Sequence, residues 1–343
     1  TLEDDIEDHL DFEVINPYYP GIDLTNYMIL THTNSISDNW NVLDGLSFGG
    51  GDPLDLDYFL YNYLVSGGEY YYNINYSSDL MPGRDWGYSN SGFALSALII
   101  EDISEDTFED YCQVNIFDLL DMPNTSWHLD GMDEDNVAIP YEWVGGQLEP
   151  LGNYWIPDYP SGQLRSSINE LSNYLICYMQ DGMFNGNTIL DPSTIDLMLT
   201  EHVDDGWPGM SAGWGLTWYF KNQDNRTLWG HNGWMFGVLT EMFFSKEEDI
   251  GVIILSNGGL PNGVYNHIID IEIELFNYAE SYVMLPGDIN LDENIDVLDV
   301  ILTVNIILNI LEPTDYQFNA ADIDNNEMVN ILDVVNIVNL ILE

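Results

Sequence analysis

A run of alternating oxygen-bearing side chains, repeated once, restricts this chain more tightly than any other feature. Asp288-Ile289-Asn290-Leu291-Asp292-Glu293-Asn294-Ile295-Asp296-Val297-Leu298-Asp299 returns 34 residues later as Asp322-Ile323-Asp324-Asn325-Asn326-Glu327-Met328-Val329-Asn330-Ile331-Leu332-Asp333. A hard dication such as Ca2+ takes about six to eight oxygens, supplied by side chains at loop positions 1, 3, 5, 9 and 12 and a backbone carbonyl at 7. Both copies match that spacing, which a merely solvated acidic face would not reproduce twice in register. Each copy runs into an apolar stretch, residues 300–311 and 334–342, and so short a unit can bury its face only against its twin. The spacing therefore predicts two bound Ca2+ ions in a small all-α unit over residues 285–343, leaving residues 1–284 as a larger domain.

Residues 287–343 resemble a dockerin of type I, the calcium-folded, paired EF-hand-like module that docks secreted enzymes onto cohesins. The resemblance implies Asp288, Asn290, Asp292, Asn294, Asp296 and Asp299 as the first ligand set and Asp322, Asp324, Asn326, Met328, Asn330 and Asp333 as the second. Two departures carry consequences. Position 6, ordinarily Gly, is Glu293 and Glu327; a non-Gly residue held left-handed costs on the order of 1 kcal/mol, so calcium affinity is expected to be modest. Where many dockerins carry hydroxyl recognition residues stand Val297-Leu298 and Ile331-Leu332. A cohesin-like or other docking partner is then expected to meet an apolar surface.

Charge narrows the partners further. Five Lys and Arg stand against 59 Asp and Glu, a formal net charge of −54. Such a field repels nucleic acid and anionic lipid. It also strains the folded state through self-repulsion, which salt screens within about 10 Å at 0.1 M, so a saline or calcium-containing extracellular or cell-surface medium is expected. Cys112 and Cys177 are too few for a disulfide framework and lie in apolar, helix-like contexts, which reads as buried free thiols. No apolar run approaches the ~18 residues of a membrane span. The first residue, Thr1, is not an initiator Met, so a processed or truncated chain is expected.

Within residues 1–284 the periodicity changes once. Thr25 can cap a short helix through Leu30; apolar runs at 93–100, 108–120 and 168–179 read as helices; Pro and Gly punctuate a long segment from 122 to 160. Phe48-Gly49-Gly50-Gly51-Asp52 reads as a loop, because no Gly-Lys-Ser/Thr follows it. Beyond residue 212, segments 214–220, 227–230, 237–244 and 250–255 are short, β-branched and aromatic, separated by turn sequences. They predict an antiparallel meander, closed by a helix over about 262–283, and an α+β class.

Six stretches carry the chemistry: Leu30-Thr31-His32-Thr33; Pro82-Gly83 with Tyr88-Ser89-Asn90; Ser161-Gly162-Gln163-Leu164; Trp214-Gly215-Leu216; Gly230-His231-Asn232-Gly233; and Leu255-Ser256-Asn257. His32 among hydroxyls is open to two readings, a ligand or base, or a ring bonded to nearby backbone. In their order and spacing these stretches resemble the penicillin-recognising serine hydrolases: class C β-lactamases, D-Ala-D-Ala peptidases and the related family VIII esterases. The resemblance implies an antiparallel sheet flanked by helices with an associated helical region, and a nucleophilic Ser-x-x-Lys that forms an acyl-enzyme on an amide or ester, with no catalytic cofactor. It places Tyr88 and Asn90 in the Tyr-x-Asn loop, and His231 and Gly233 in a His-x-Gly strand that replaces Lys-Thr-Gly. Tyr88 beside the lysine would have its phenol pKa lowered and relay the serine proton. Asn90 would hold the lysine and the substrate amide, Gly233 would let substrate approach the backbone, and the Trp234 N–H would form half of an oxyanion hole, worth ~3 kcal/mol per donor.

The family's first element is not found. The basic residues are Arg84, Arg165, Lys221, Arg226 and Lys246, and three residues before the lysines stand Trp218 and Phe243, so no Ser-x-x-Lys exists here, nor any Gly-x-Ser-x-Gly elbow. A chain lacking the family's first strands and nucleophile helix, and therefore inactive by itself, is the expectation. Two other readings stand beside it: a non-catalytic protein that retains the cleft for a peptide or carbohydrate, and a glycosidase, for which paired carboxylates are uninformative in a chain this acidic.

Overall fold

In the computed structural model the described residues are 1–47, 53–129, 132–259, 265–281, 285–292, 294–326 and 328–342. The chain divides into two compact units, residues 1–276 and 277–343. The glycine-rich stretch at 48–52 and position 6 of each acidic loop, Glu293 and Glu327, lie outside the described residues.

The first unit begins with helices α1 (Asn26–Leu30), α2 (Trp40–Ser47), α3 (Leu56–Leu64), α4 (Asn90–Ser104) and α5 (Phe108–Cys112). Thr25 caps α1 by accepting a hydrogen bond from the Met28 N–H, and Ser89 caps α4 by accepting one from Gly92 N at 2.9 Å. Helix α4 is buried on most sides, with Ala94, Leu95, Ala97 and Leu98 inside, and ends where Glu105 turns left-handed at φ 62°. The helix expected over 108–120 stops early: after Cys112 the backbone widens into a π turn over Gln113–Phe117. A hairpin of β1 (Tyr141–Val144) and β2 (Gln147–Pro150) follows inside the Pro/Gly-rich segment, then α6 (Ile168–Met179), the two-residue strands β3 (Met183–Phe184) and β4 (Asn187–Thr188), and α7 (Pro192–Met198).

The meander is a five-stranded antiparallel sheet in sequence order: β5 (Gly213–Trp214), β6 (Tyr219–Gln223), β7 (Arg226–Met235), β8 (Val238–Ser245) and β9 (Ile250–Ser256). The strand expected over 214–220 is two pieces, because Thr217 turns left-handed at φ 69° between them. Asp224 and Asn225, both at positive φ, make the tight β6–β7 turn that a right-twisted hairpin prefers. Phe243 and Phe244, adjacent on β8, are both fully buried and point to opposite faces. Phe243 packs with Trp214, Tyr219, Leu228 and Phe276 of α8 (Tyr265–Ser281), while Phe244 packs with Leu175 and Tyr178 of α6 and with Ile195 of α7. Helices thus cover both faces of the sheet, an α+β layering. Each buried ring contributes roughly 1.5–3 kcal/mol.

Beneath Phe243 lies an ionic knot. Lys221 Nζ sits 3.7 Å from that ring's centroid, donates to Glu272 Oε2 at 2.6 Å and lies 3.9 Å from Glu241 Oε2, and all three residues are buried.

In the second unit, α9 (Val297–Ile307), α10 (Asp315–Ala321) and α11 (Ile331–Leu342) enclose Ile289, Ile306, Ala320, Ala321 and Ile337. Helices α9 and α11 each begin three residues before the start their apolar run suggests. Position 9 of each loop serves as the helix's first anchor: Leu298 N donates to Asp296 Oδ1 and Leu332 N to Asn330 Oδ1. Among the described residues no helix is long and apolar enough to cross a membrane.

Candidate active site

The site grows from the first turn of α4. Four N–H groups at a helix start have no partner within the helix and favour an anion. Asp38 supplies it from 52 residues away: Oδ2 accepts from Asn90 N at 2.9 Å and from Asn90 Nδ2 at 2.8 Å, and Oδ1 accepts from Ser91 N at 3.0 Å. The side-chain amide of Asn90 is therefore held by a carboxylate, not by an ammonium. Asp38 is missing from the sequence reading because no local pattern ties it to residue 90.

His32 fixes the loop just before that turn. Its carbonyl accepts from Gly87 N at 2.8 Å, its Nδ1 accepts from Ser89 N at 3.3 Å, and its ring lies 4.3 Å from that of Tyr88, centroid to centroid. His32 is 2% exposed, in the left-handed region at φ 55°. Burial pushes its pKa well down, with the neighbouring His231 adding to the effect. Of the two readings left open by the sequence, backbone bonding is what the geometry displays, across 57 residues and not locally.

Tyr88 and His231 meet. Their ring centroids are 6.0 Å apart, and both residues are half-buried. Trp214 lies 5.8 Å from each and 4.9 Å from His32, so four of the six motif stretches converge on one aromatic cluster. His231 Nδ1 donates to the Asn232 carbonyl at 2.6 Å, which leaves the Nε2 lone pair as a base, and burial lowers the ring's pKa so that it stays neutral. The expected lowering of the Tyr88 pKa is not what the chain shows. Burial raises it, and the carboxylates of Asp38 and Asp158 raise it further. Burial thus favours the neutral form of both rings, phenol at Tyr88 and imidazole at His231.

Asn232 accepts from the Tyr219 hydroxyl at 3.2 Å. At Gly233 a Cβ would lie 2.4 Å from Thr240 Oγ1 on β8, so a larger residue there would require that hydroxyl to turn away. Trp234 stands opposite Leu239 in the ladder and is 77% exposed. A loop over residues 204–212, tied at its ends by the Val203–Trp214 bridge, lays Trp207 against Tyr88 at 4.6 Å and His231 at 6.3 Å. From the other side comes Asp158, 4% exposed, its carboxyl pushed up to about 7 by burial and then by the charge of Asp38.

Among the described residues every Lys and Arg has partners other than these acids. Arg84 pairs with Asp85, Lys221 with Glu272, Arg226 with Glu248 and Asp224, and Lys246 with Asp181 and Asp196. Arg165 donates to the carbonyls of Trp127 and Gln163. Both cysteines are free and buried, the Cys112 thiol pushed up to about 12 and that of Cys177 to about 11 by burial, so neither is a nucleophile at neutral pH.

Separately, in the second unit, carboxylate oxygens of Asp322, Asp324 and Asp333 lie within 4.8 Å of one another. The two loops repeat their internal bonds. Asp292 N and Asn326 N donate to Asp288 and Asp322, Ile289 N and Ile323 N donate to Asp299 and Asp333, and Asp296 N and Asn330 N donate to those same two carboxylates.

Comparison with known proteins gives a family model described as Beta-lactamase, matched by residues 1–272. Protein flp of Staphylococcus aureus strain MW2 is 23% identical over 179 residues, 51% of this chain and 34% of its own length. The chain thus spans about a third of the curated relatives it matches. Among solved structures, the octameric penicillin-binding protein homologue from Pyrococcus abyssi superposes with a TM-score of 0.64 at 22% identity, over 80% of this chain and 60% of that one. The D-stereospecific amidohydrolase from Streptomyces sp. gives 0.61 at 19% identity, over 75% and 74%. D-amino acid amidase from Ochrobactrum anthropi SV3, complexed with L-phenylalanine amide, gives 0.61 at 16%, over 78% and 77%. Identities this low establish a shared fold.

Proposed function

Because the chain belongs to the beta-lactamase family, we propose that it forms part of a serine hydrolase acting on an amide or ester through an acyl-enzyme, in a protein whose intact form supplies the Ser-x-x-Lys absent from these residues. The convergence of His32, Tyr88, Trp214 and His231 carries this reading. Stretches far apart in sequence are unlike one another in element and share only this meeting point. In that protein Tyr88 passes a proton between the serine and the leaving group, and a lysine ammonium reaching the phenol would offset the carboxylate field that now raises its pKa. His231, neutral with Nε2 open, accepts a proton or orients the acyl group. The Trp234 N–H is offered as one oxyanion donor.

A fluorophosphonate probe tests this. No adduct is expected on residues 1–343, and labelling with ester turnover is expected once the upstream gene sequence is joined to them. An unlabelled longer product, or one without Ser-x-x-Lys, sinks the reading. A non-catalytic binder of a peptide or carbohydrate is then favoured, with the exposed Trp234 ring as a contact for it.

For the second unit we propose a dockerin-like module that takes two Ca2+ ions and attaches a secreted enzyme to a protein partner. The donor set fits: three carboxylates converge in the second loop, and the first loop makes the same internal bonds. Val297, Leu298, Ile331 and Leu332 are all exposed, which supports an apolar docking surface. Chelation with EGTA should reduce the helical circular-dichroism signal of this unit, and Ca2+ should restore it.

A further inference from the structure

Helices α9 and α11 of the second unit each turn one side inward and leave an apolar side uncovered among the described residues. Asp299, Thr303 and Ile306 of α9, and Asp333 and Ile337 of α11, are buried. Away from them run Val297, Ile301, Val304 and the capping Leu308 on α9, and Ile331, Val335, Val338 and Leu342 on α11, at steps of four, three and four residues in both. Such steps put all four side chains on one stripe, about three turns long. The stripes occupy the same positions of the 34-residue repeat and are open to the same degree. Val297 and Ile331 are 63% and 64% exposed, and Ile301 and Val335 are 50% and 51%. Each helix holds a single charged residue, the buried aspartate, and a helix so apolar is ordinarily buried all round.

Spacing and charge say what covers the stripes. Alternating steps of three and four residues form the seam along which a second helix packs its side chains into the gaps between turns. A strand, whose successive side chains point to opposite faces, follows that seam less well. Residues 285–343 contain eight Asp and four Glu and no Lys, Arg or His, and two Ca2+ ions would offset only four of those twelve negative charges. A second copy would bring an equal acidic field against the first, whereas Lys and Arg beside an apolar seam would be drawn to it. We propose that the stripes of α9 and α11 dock an amphipathic helix of another protein, one whose aliphatic seam is flanked by Lys and Arg. The inference rests on reading this unit as a docking module, and it adds the chemistry of the docked segment.

Three labelled peptides of about 20 residues test it. One carries Leu at heptad positions a and d with Lys elsewhere, the second is its scramble, and the third keeps the Leu positions with Glu elsewhere. Fluorescence anisotropy is followed with the full chain in Ca2+ and about 0.5 M NaCl, which screens the general acidity. The Leu/Lys helix should bind at least about tenfold more tightly than the scramble, and the Leu/Glu helix should not bind. Ile301→Asn with Val335→Asn should abolish the preference, while Ile103→Asn, an exposed residue of α4, should leave it intact. Should the first pair lose its helical dichroism in Ca2+, Val297→Gln with Ile331→Gln, at the first turns, is read in its place. Equal binding of the scramble, or a preference that survives both pairs of substitutions, overturns the proposal. So does a dimer of the unmodified chain that either pair dissolves, since a second copy then covers the stripes. Helical dichroism restored by Ca2+ after EGTA, without any Leu/Lys preference, defeats the helical partner alone. A preference intact in EGTA, with dichroism unmoved by Ca2+, defeats the calcium module and keeps the partner.

Discussion

Asp158 is a buried acid whose ionisation opposes folding. Its folded pKa, about 7, lies above the ordinary carboxylate value of 3.8, so between those two pH values the unfolded chain has already lost a proton that the folded chain keeps. Stability contributed by the neutral carboxyl is therefore present at low pH and disappears as pH rises toward 7. Asp158→Asn should stabilise the protein at about pH 8, by roughly 1–4 kcal/mol, and make no difference at about pH 4. Urea titrations at the two pH values check this, and an equal effect at both would refute it. His32 works in the opposite sense, as a neutral acceptor. His32→Leu keeps the bulk but strands the buried Ser89 N–H, at a cost of about 1–3 kcal/mol in chemical denaturation. Single residues were the least legible part of the sequence. Tyr88 and His231 announce themselves through Gly-flanked polar clusters, but Asp38 and Asp158 gain their roles only when 52 residues of chain fold back, or when a loop buries an acid that looks like any of the other 58.

Elements were legible where pattern and packing agree. Helix α6 and the strands of the meander follow their apolar periods because one face of each is buried, and Thr25 marks its helix by the side-chain oxygen that caps it, whereas the helix expected over 93–100 starts at Asn90 under a Ser89 cap. Helices α2, α3, α7 and α10 were not read, since their Tyr, Asp and Asn content mimics loop composition and tertiary contacts decide the outcome. The π turn after Cys112 has no sequence signal at all. At this scale the Lys221 knot is the strongest lever on stability. It joins β6 to α8 across the Phe243 face, and removing the ammonium leaves buried carboxylates uncompensated. Lys221→Met should cost about 3–5 kcal/mol, and the double variant Lys221→Met with Glu272→Leu should recover much of that loss. A double variant as unstable as the single one would show that packing against Phe243, and not charge, is what the lysine provides.

Across the whole molecule, charge was legible to the unit and its placement was not. The −54 total forecast repulsion, yet composition could not reveal that Arg84, Lys221, Arg226 and Lys246 sit in ion pairs and Arg165 on backbone carbonyls. Raising NaCl from about 0.05 to 0.5 M should therefore raise the melting temperature of the first unit, and a fall would contradict the repulsion account. In the second unit the repeat itself was legible, and its two loops make matching internal hydrogen bonds. One consequence follows from the packing of Trp86, Trp207 and Trp214, two of their contacts edge-to-face, within 5.4–5.9 Å of one another beside Tyr88. Indoles that close exchange excitation, so the crevice is its own unlabelled optical gauge: anything that lifts the 204–212 loop must change the coupled near-ultraviolet dichroism, and anything that leaves the loop in place must not.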